Sequence, residues 1–170
     1  MRRRIVLASV VALVVGSGCR KEALDRVERS GEPDFMLARS HDVDMEAAMR
    51  RARETLSELS SALADGRHPR SDFAIKKAFS DGKRQEYIWL IDPVEASDGF
   101  HATVDNAPVW VKDVKAGTRM LVRREDVADW MFVEDGVLHG GFTIRVLFRR
   151  ETPERKLELE RTFGFKVPPP

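Results

Sequence analysis

A few side chains stand where chemistry is conceivable. Glu86 opens the apolar run EYIWL, and Asp129 precedes Trp130. A carboxylate in apolar surroundings is pushed toward its neutral form and becomes usable as a general acid or base. Two such groups about 5–9.5 Å apart would serve glycoside hydrolysis, so Glu86 with Asp129 is one candidate hydrolase pair. Asp129-Trp130 also offers a carboxylate beside an aromatic wall, a common way to hold a polar ligand. Gly140-Gly141-x-Thr143 can turn backbone N–H groups toward an anion, although it lacks the lysine and spacing of a phosphate loop. The candidate pocket is therefore Glu86, Trp89, Asn106, Asp129, Trp130 and Thr143. Plainer readings stand beside each. Glu86 fits a strand-end residue paired across a hairpin to Lys76 or Lys77. Asp129 fits a turn cap with Trp130 in the core, and Trp89 and Trp110 fit core or hairpin packing. Gly140-Gly141 fits a turn that needs positive φ, and Asn106-Ala107-Pro108 fits another turn. His41, His68, His101 and His139 show no His-x-His or His-x-x-x-His spacing, and there is no Gly-x-Ser-x-Gly. No metal site, cofactor or serine-hydrolase motif is expected.

Cys19 invites a different chemistry. The chain opens Met1-Arg2-Arg3-Arg4 and continues IVLASVVALVV over residues 5–15. A basic segment followed by an apolar run of about 7–15 residues is the make-up of a secretory signal. The run is too short to cross a bilayer as a helix, which takes about 20 residues. Gly16, Ser17 and Gly18 then supply small residues ahead of Cys19. Gly-Ser-Gly-Cys resembles the bacterial lipoprotein box, with Gly16 where that box commonly carries Leu. The resemblance implies cleavage before Cys19 and attachment of palmitate-type acyl chains there. Two or more such chains hold a protein to a bilayer, whereas one holds it only marginally. Acylation would also consume the sole cysteine, a lone thiol being a liability in an oxidising compartment. The alternatives are an ordinary cleaved signal with an incidental cysteine, and an uncleaved anchor. Arg20, being other than Asp, leans toward the periplasmic face of the outer membrane by resemblance to sorting in enteric bacteria.

These side chains need elements to position them. Residues 1–18 read as the lipoprotein signal, 19–41 as acylated cysteine and tether, 42–165 as an α+β domain, and 166–170 as a Pro-rich tail. Within the tether, KEALDRVER has some helical character until Gly31 and Pro33 stop it. Met45, Met49, Ala52, Leu56, Leu59 and Leu63 recur at steps of four and three, which predicts one amphipathic helix from Asp42 to Asp65. FAIKKAF (73–79) and EYIWLID (86–92) flank Ser80-Asp81-Gly82-Lys83 and predict a hairpin. Further strands are expected at Gly99–Val104, around Trp110-Val111, at 119–123 and at 130–133. A short helical turn is expected over Val127–Trp130. FTIRVLF (142–148) favours a strand by composition, although Ile144 and Phe148 also stand at helical spacing. Thr152-Pro153-Glu154 starts a short helix that ends near Gly164. The fold class is α+β: one long N-terminal helix packed on a strongly curved antiparallel sheet, with a short C-terminal helix.

Taken together, FAIKKAFSDG, EYIWL, FHATVDNAP, KAGTRMLV, DVADWMFV and GGFTIRVL resemble, in this order, the YegJ-like domain of unknown function (number 2314 among such domains). The resemblance covers about residues 42–149 and implies a fold and a bacterial setting but no reaction. The Asp-Trp and Gly-Gly-x-Thr pieces more faintly resemble bacterial immunity-type domains.

Composition narrows the function classes. The 170 residues allow one domain, and 42% hydrophobic content suffices for a core. Lys+Arg 29 against Asp+Glu 28 gives no field to hold a polyanion, so nucleic acid is not expected as a partner. The first expectation is a non-enzymatic envelope lipoprotein that binds a protein or cell-wall partner. The second is an immunity-like inhibitor of a toxin, and the third is a hydrolase using Glu86 and Asp129.

Overall fold

The computed structural model describes residues 42–66, 69–83 and 85–169, with the backbone of three short strands at 11–13, 26–29 and 32–36. Cys19 lies outside the described residues. Arg26–Arg29, in the tether segment read as having some helical character, is a strand paired antiparallel with Glu32–Met36. Val11–Leu13 pairs antiparallel with residues 85–87.

The domain begins with two helices, α1 (Val43–Glu54) and α2 (Leu56–Ala64), where the sequence predicted one. The apolar stripe is present as expected, with Met45, Ala52, Leu56 and Leu59 buried. The break falls at Thr55, whose ψ of 12° leaves the helical range. Its hydroxyl donates back to Arg51 O at 2.8 Å, a bond that bends helices. The Ala52 carbonyl meanwhile accepts the Trp130 indole N–H at 2.9 Å. Competition for these carbonyls breaks the expected helix at Thr55, without interrupting the periodicity of the buried side chains.

The sheet comprises β1 (Arg70–Ser80), β2 (Gln85–Ala96), β3 (Gly99–Val104), β4 (Arg119–Arg123), β5 (Val127–Glu134) and β6 (Val137–Gly140). The order is β4-β3-β2-β1-β5-β6, every pairing antiparallel. The expected β1–β2 hairpin forms, with Phe79 rather than Lys76 or Lys77 opposite Glu86. Strand β5 starts at Val127, so the expected helical turn there is a strand; the turn lies just before it, at Arg124–Asp126. No strand forms at Trp110-Val111, for a reason given below.

Curvature follows from the connections. Strands β4 and β5 lie four positions apart, about 19 Å in a flat sheet at ~4.8 Å per strand. The three residues of Arg124–Asp126 join them, a reach of about 14 Å. The sheet therefore has to curl. It bends where β1 and β2 carry bulges, at Asp72 (φ 55°) and at Asp92-Pro93 (Asp92 φ 52°). Both are places where a left-handed Asp and a proline are tolerated. Gly99 allows the tight approach of β4 to β3: a side-chain carbon there would collide with the Val122 carbonyl and the Arg123 backbone.

Residues 142–148 are the largest departure from expectation: they form helix α3 (Phe142–Arg149) rather than a strand. Gly140 and Gly141, at φ 65° and 60°, turn the chain out of β6, and Ile144 and Phe148 fall on the face toward the sheet. Helix α4 (Pro153–Phe163) starts as expected, with the Thr152 side chain accepting from Arg155 N, and ends at a left-handed Gly164. Beyond it the chain returns to the sheet: Phe165 and Val167 are buried and Lys166 bridges Val137. Gly99→Ala is expected to cost about 1–3 kcal/mol in urea denaturation, whereas Gly66→Ala, in open space, should change stability by less than about 0.5 kcal/mol.

Candidate functional site

The candidate residues fall into two groups, separated by the sheet itself. Along β1 and β2 the register is continuous, pairing Lys76 with Trp89 and Phe79 with Glu86. Side chains alternate across a strand, so Trp89 and Glu86, three residues apart, point to opposite faces. Asp129 pairs with Lys76 and shares the face of Trp89. Glu86 and Asp129 therefore project from opposite sides of the sheet and flank no common cleft. The expected hydrolase pair does not assemble.

Glu86 is fully buried. It is not paired to Lys76 or Lys77. Its Oε1 accepts the N–H of Val109 at 2.7 Å, and its Oε2 accepts those of Trp110 at 2.8 Å and Val111 at 3.0 Å. Three consecutive amides aimed at one carboxylate form an anion nest, and they are consequently not available to a neighbouring strand. This is why Trp110-Val111 is a loop. Glu86 thus ties down the 105–118 connection, and Asn106 and Pro108 lie at the start of that loop. The Asn106 side chain donates to Asp105 at 3.2 Å.

Asp129, also fully buried, sits where β6 stops pairing with β5. Its Oδ1 accepts Trp130 N at 2.8 Å and Phe142 N at 3.2 Å. Its Oδ2 accepts Thr143 N at 2.8 Å and the Thr143 hydroxyl at 2.6 Å. The first amides of a helix have no partner within the helix, and Gly141 has no side chain with which to cap α3. Asp129 supplies the cap from another element and places a negative charge at the helix's positive end. Gly140 lets this happen, since a side-chain carbon there would strike the carbonyl and ring of Trp130.

Sequence reasoning missed Lys76. It is 1% exposed and donates from Nζ to the Thr143 hydroxyl at 3.0 Å, with its ammonium 5.0 Å from the centre of the Trp89 ring. Lys76 thus reaches Asp129 through Thr143. Burial pulls the Lys76 ammonium down to about 8, opposed by the Asp129 charge. Burial likewise pushes the Asp129 carboxyl up, opposed by Lys76 and by the Thr143 and Trp130 donors. The available signal was a lysine at an inward position of a strand, aligned with Trp89 across the hairpin. Trp130 points to the other face, edge-on to Phe142 and stacked with Phe132. The structure therefore brings Trp89, Asp129 and Thr143 together around Lys76, places Glu86 beside the Asn106 loop, and sets Trp130 against α1.

The accessible surface beside the Asp129 network is a groove between α1 and α3, in two lobes of about 390 and 230 Å³. Arg51, Phe142 and Arg145 line both. Among the described residues no cluster of three His, Cys, Asp or Glu could hold a metal ion.

Fold and site define a class: a small curled-sheet α+β domain whose strongest polar groups are turned inward as anchors. The chain belongs to the bacterial family described as "Uncharacterized protein conserved in bacteria (DUF2314)", whose model matches residues 42–167. It is 31% identical over 93 residues to the uncharacterized protein YegJ of Escherichia coli K12, across 52% of this chain and 61% of that one. It is 32% identical over 98 residues to a putative ankyrin repeat protein, NMB1133/NMB1171, of Neisseria meningitidis serogroup B, across 55% of this chain and 39% of that one. The chain thus matches less than two thirds of the length of either relative. No solved structure matches it.

Removing one member of a buried charge network leaves the others unpaired. Asp129→Ala should accordingly cost about 3–5 kcal/mol in urea denaturation. Lys76 binds its proton less tightly folded (about 8) than unfolded (10.5), so the unfolded chain holds more protons between those values and folding gains as pH rises through them. Wild type should therefore gain on the order of 2 kcal/mol over Lys76→Met across that window; parallel pH profiles would contradict it. Glu86→Ala should free the 105–118 loop, read as much faster tryptic cleavage after Lys112 and Lys115 while the strands stay intact.

Proposed function

We propose that this protein is a lipid-anchored protein of the bacterial envelope. In this reading Cys19 carries the acyl chains, residues 19–41 are the tether, and the α+β domain is a non-enzymatic binding module for an envelope protein or cell-wall partner. The observation that carries the binding role is the fate of the two carboxylates. Each lies fully buried, on its own side of the sheet, with both oxygens engaged by donors of the chain itself. A general acid or base has to reach a substrate proton directly or through one water, and neither group offers that reach. Such groups fix a surface; they do not react.

The anchoring half rests on the sequence of residues 1–19. Three arginines, an apolar run and small residues precede the sole cysteine. The leader holds three basic residues and no acid, so what remains after cleavage carries a slight acidic excess. Such a body gains nothing from anionic lipid, and the acyl chains have to supply the attachment. Cleavage would also remove Val11–Leu13 from the edge of β2 and leave the six-stranded sheet intact. Arg20 favours the outer membrane.

Mass spectrometry of the membrane-extracted native protein should find Cys19 as the first residue, carrying a diacylglycerol and an amide-linked acyl chain. Metabolic palmitate labelling should disappear in Cys19→Ala. An intact leader or a free thiol would overturn the anchoring.

A further inference from the structure

We propose that the groove between α1 and α3 is the module's recognition surface, and that it takes an acidic, partly apolar peptide segment of a partner protein. This deepens the binding role proposed above and rests on it. The floor of the groove is apolar, formed by Ala47, Ala48, Phe142 and Val146. Arg51 and Arg145 line both lobes together with Phe142, and Arg149 lines the smaller one.

These cations differ in what already holds them. Arg149 is committed to Asp44 at 2.7 Å. Asp44 in turn also serves Arg150, which is paired to Asp42 as well. Among the described residues, Arg145 meets no carboxylate within ion-pair distance. Its guanidinium donates to the carbonyls of Gly140 at 2.7 Å, Leu138 at 2.9 Å, Pro168 at 3.2 Å and Pro169 at 3.1 Å. Carbonyl oxygens fix the fork in place, and the anion whose field reaches it is the buried Asp129, a charge that Lys76 shares. The Arg51 side chain is 62% exposed, and among the described residues its ion pair is with Glu54, at 3.8 Å, a surface contact of little strength. Two arginines without a strong counter-charge thus border an apolar trough. Glu58 in the lining of the larger lobe is the opposing charge, and Asp44 is already taken up by its arginines.

An anionic side chain set between Arg51 and Arg145 would gain charge-assisted hydrogen bonds, and small apolar neighbours would cover Phe142 and Ala48. A small anion alone would leave that floor bare. The Asp129 network explains why the surface is rigid enough to recognise a sequence. It fixes the first turn of α3, which carries Phe142, while Trp130 holds α1 through Ala52.

The test uses the full chain in detergent micelles and fluorescein-labelled ten-residue peptides of mixed Glu, Ala and Leu. Controls are the same peptides with Gln, and with Lys, in place of Glu. The Glu peptides should bind by fluorescence anisotropy and the controls should not. Arg51→Glu should weaken binding by about tenfold or more, and Arg161→Glu, exposed on α4, should leave it unchanged. Amide shifts on titration should cluster at Ala47, Arg51, Phe142 and Val146. No binding, equal loss in Arg161→Glu, or equal Arg51-dependent binding to phosphatidylglycerol vesicles would overturn the proposal. If the peptides fail while crosslinking in intact cells still captures a specific envelope partner, the groove is wrong and the binding module stands. If both fail, the binding module falls with it.

Discussion

An ionised carboxylate taken out of water needs donors on every side, and in this domain that requirement is met by drawing three elements onto Asp129. Strand β5 supplies the side chain and one amide, the start of α3 supplies two amides and a hydroxyl, and β1 supplies the Lys76 ammonium one bond further out. Where α3 begins, how it leaves β6 and how it sits beside β5 are therefore fixed by one side chain. The Gly140-Gly141 turn is the backbone condition for it, because only residues at ease with positive φ and with no side-chain carbon to clash can deliver Phe142 and Thr143 to the carboxylate.

Glu86 does the corresponding work on the opposite face, where three successive amides of the 105–118 loop converge on it. The two anchors solve the same problem for a sheet that has to curl. Curling brings β4 round toward β5 through the short turn at Arg124–Asp126, and long connections are left to cross exposed edges. A buried carboxylate on each face, Glu86 under the 105–118 loop and Asp129 under the start of α3, holds these segments without a disulfide, in a chain that has one cysteine. With the polar groups consumed internally, what the surface offers is shape and charge. The groove between α1 and α3 supplies both, beside the helix start that Asp129 holds.

Much of this was legible in the residues. The step-of-four-and-three stripe located α1 and α2, turn residues located the β1–β2 hairpin, and Thr152-Pro153 located the start of α4. The Asp-Trp and Gly-Gly-x-Thr pieces marked a site that exists, since Asp129 and Thr143 do meet. What was hidden depended on partners remote in sequence. The break at Thr55 leaves the apolar periodicity intact, and its cause includes a Trp130 side chain from β5. Residues 142–148 carry Thr, Ile, Val and Phe, a strand-like mixture, yet the helix is started by a cap 13 residues upstream. Trp110 and Val111 look like a strand until their amides are seen to be taken by Glu86. Lys76 reads as a surface lysine because burial of a cation is visible only once Trp89 and Thr143 are placed around it.

Amides in the first turn of a helix ordinarily exchange with solvent freely, because nothing within the helix accepts from them. Native-state hydrogen exchange at Phe142 and Thr143 thus tests the role of Asp129 most directly, with Glu154 in the first turn of α4 as the internal reference. The amides of Phe142 and Thr143 should be protected to the same free energy as the core amides of β5, opening only with the whole domain. Exchange of Thr143 as fast as that of Glu154 would mean that the carboxylate does not hold the helix, and the architecture described here would lose its keystone.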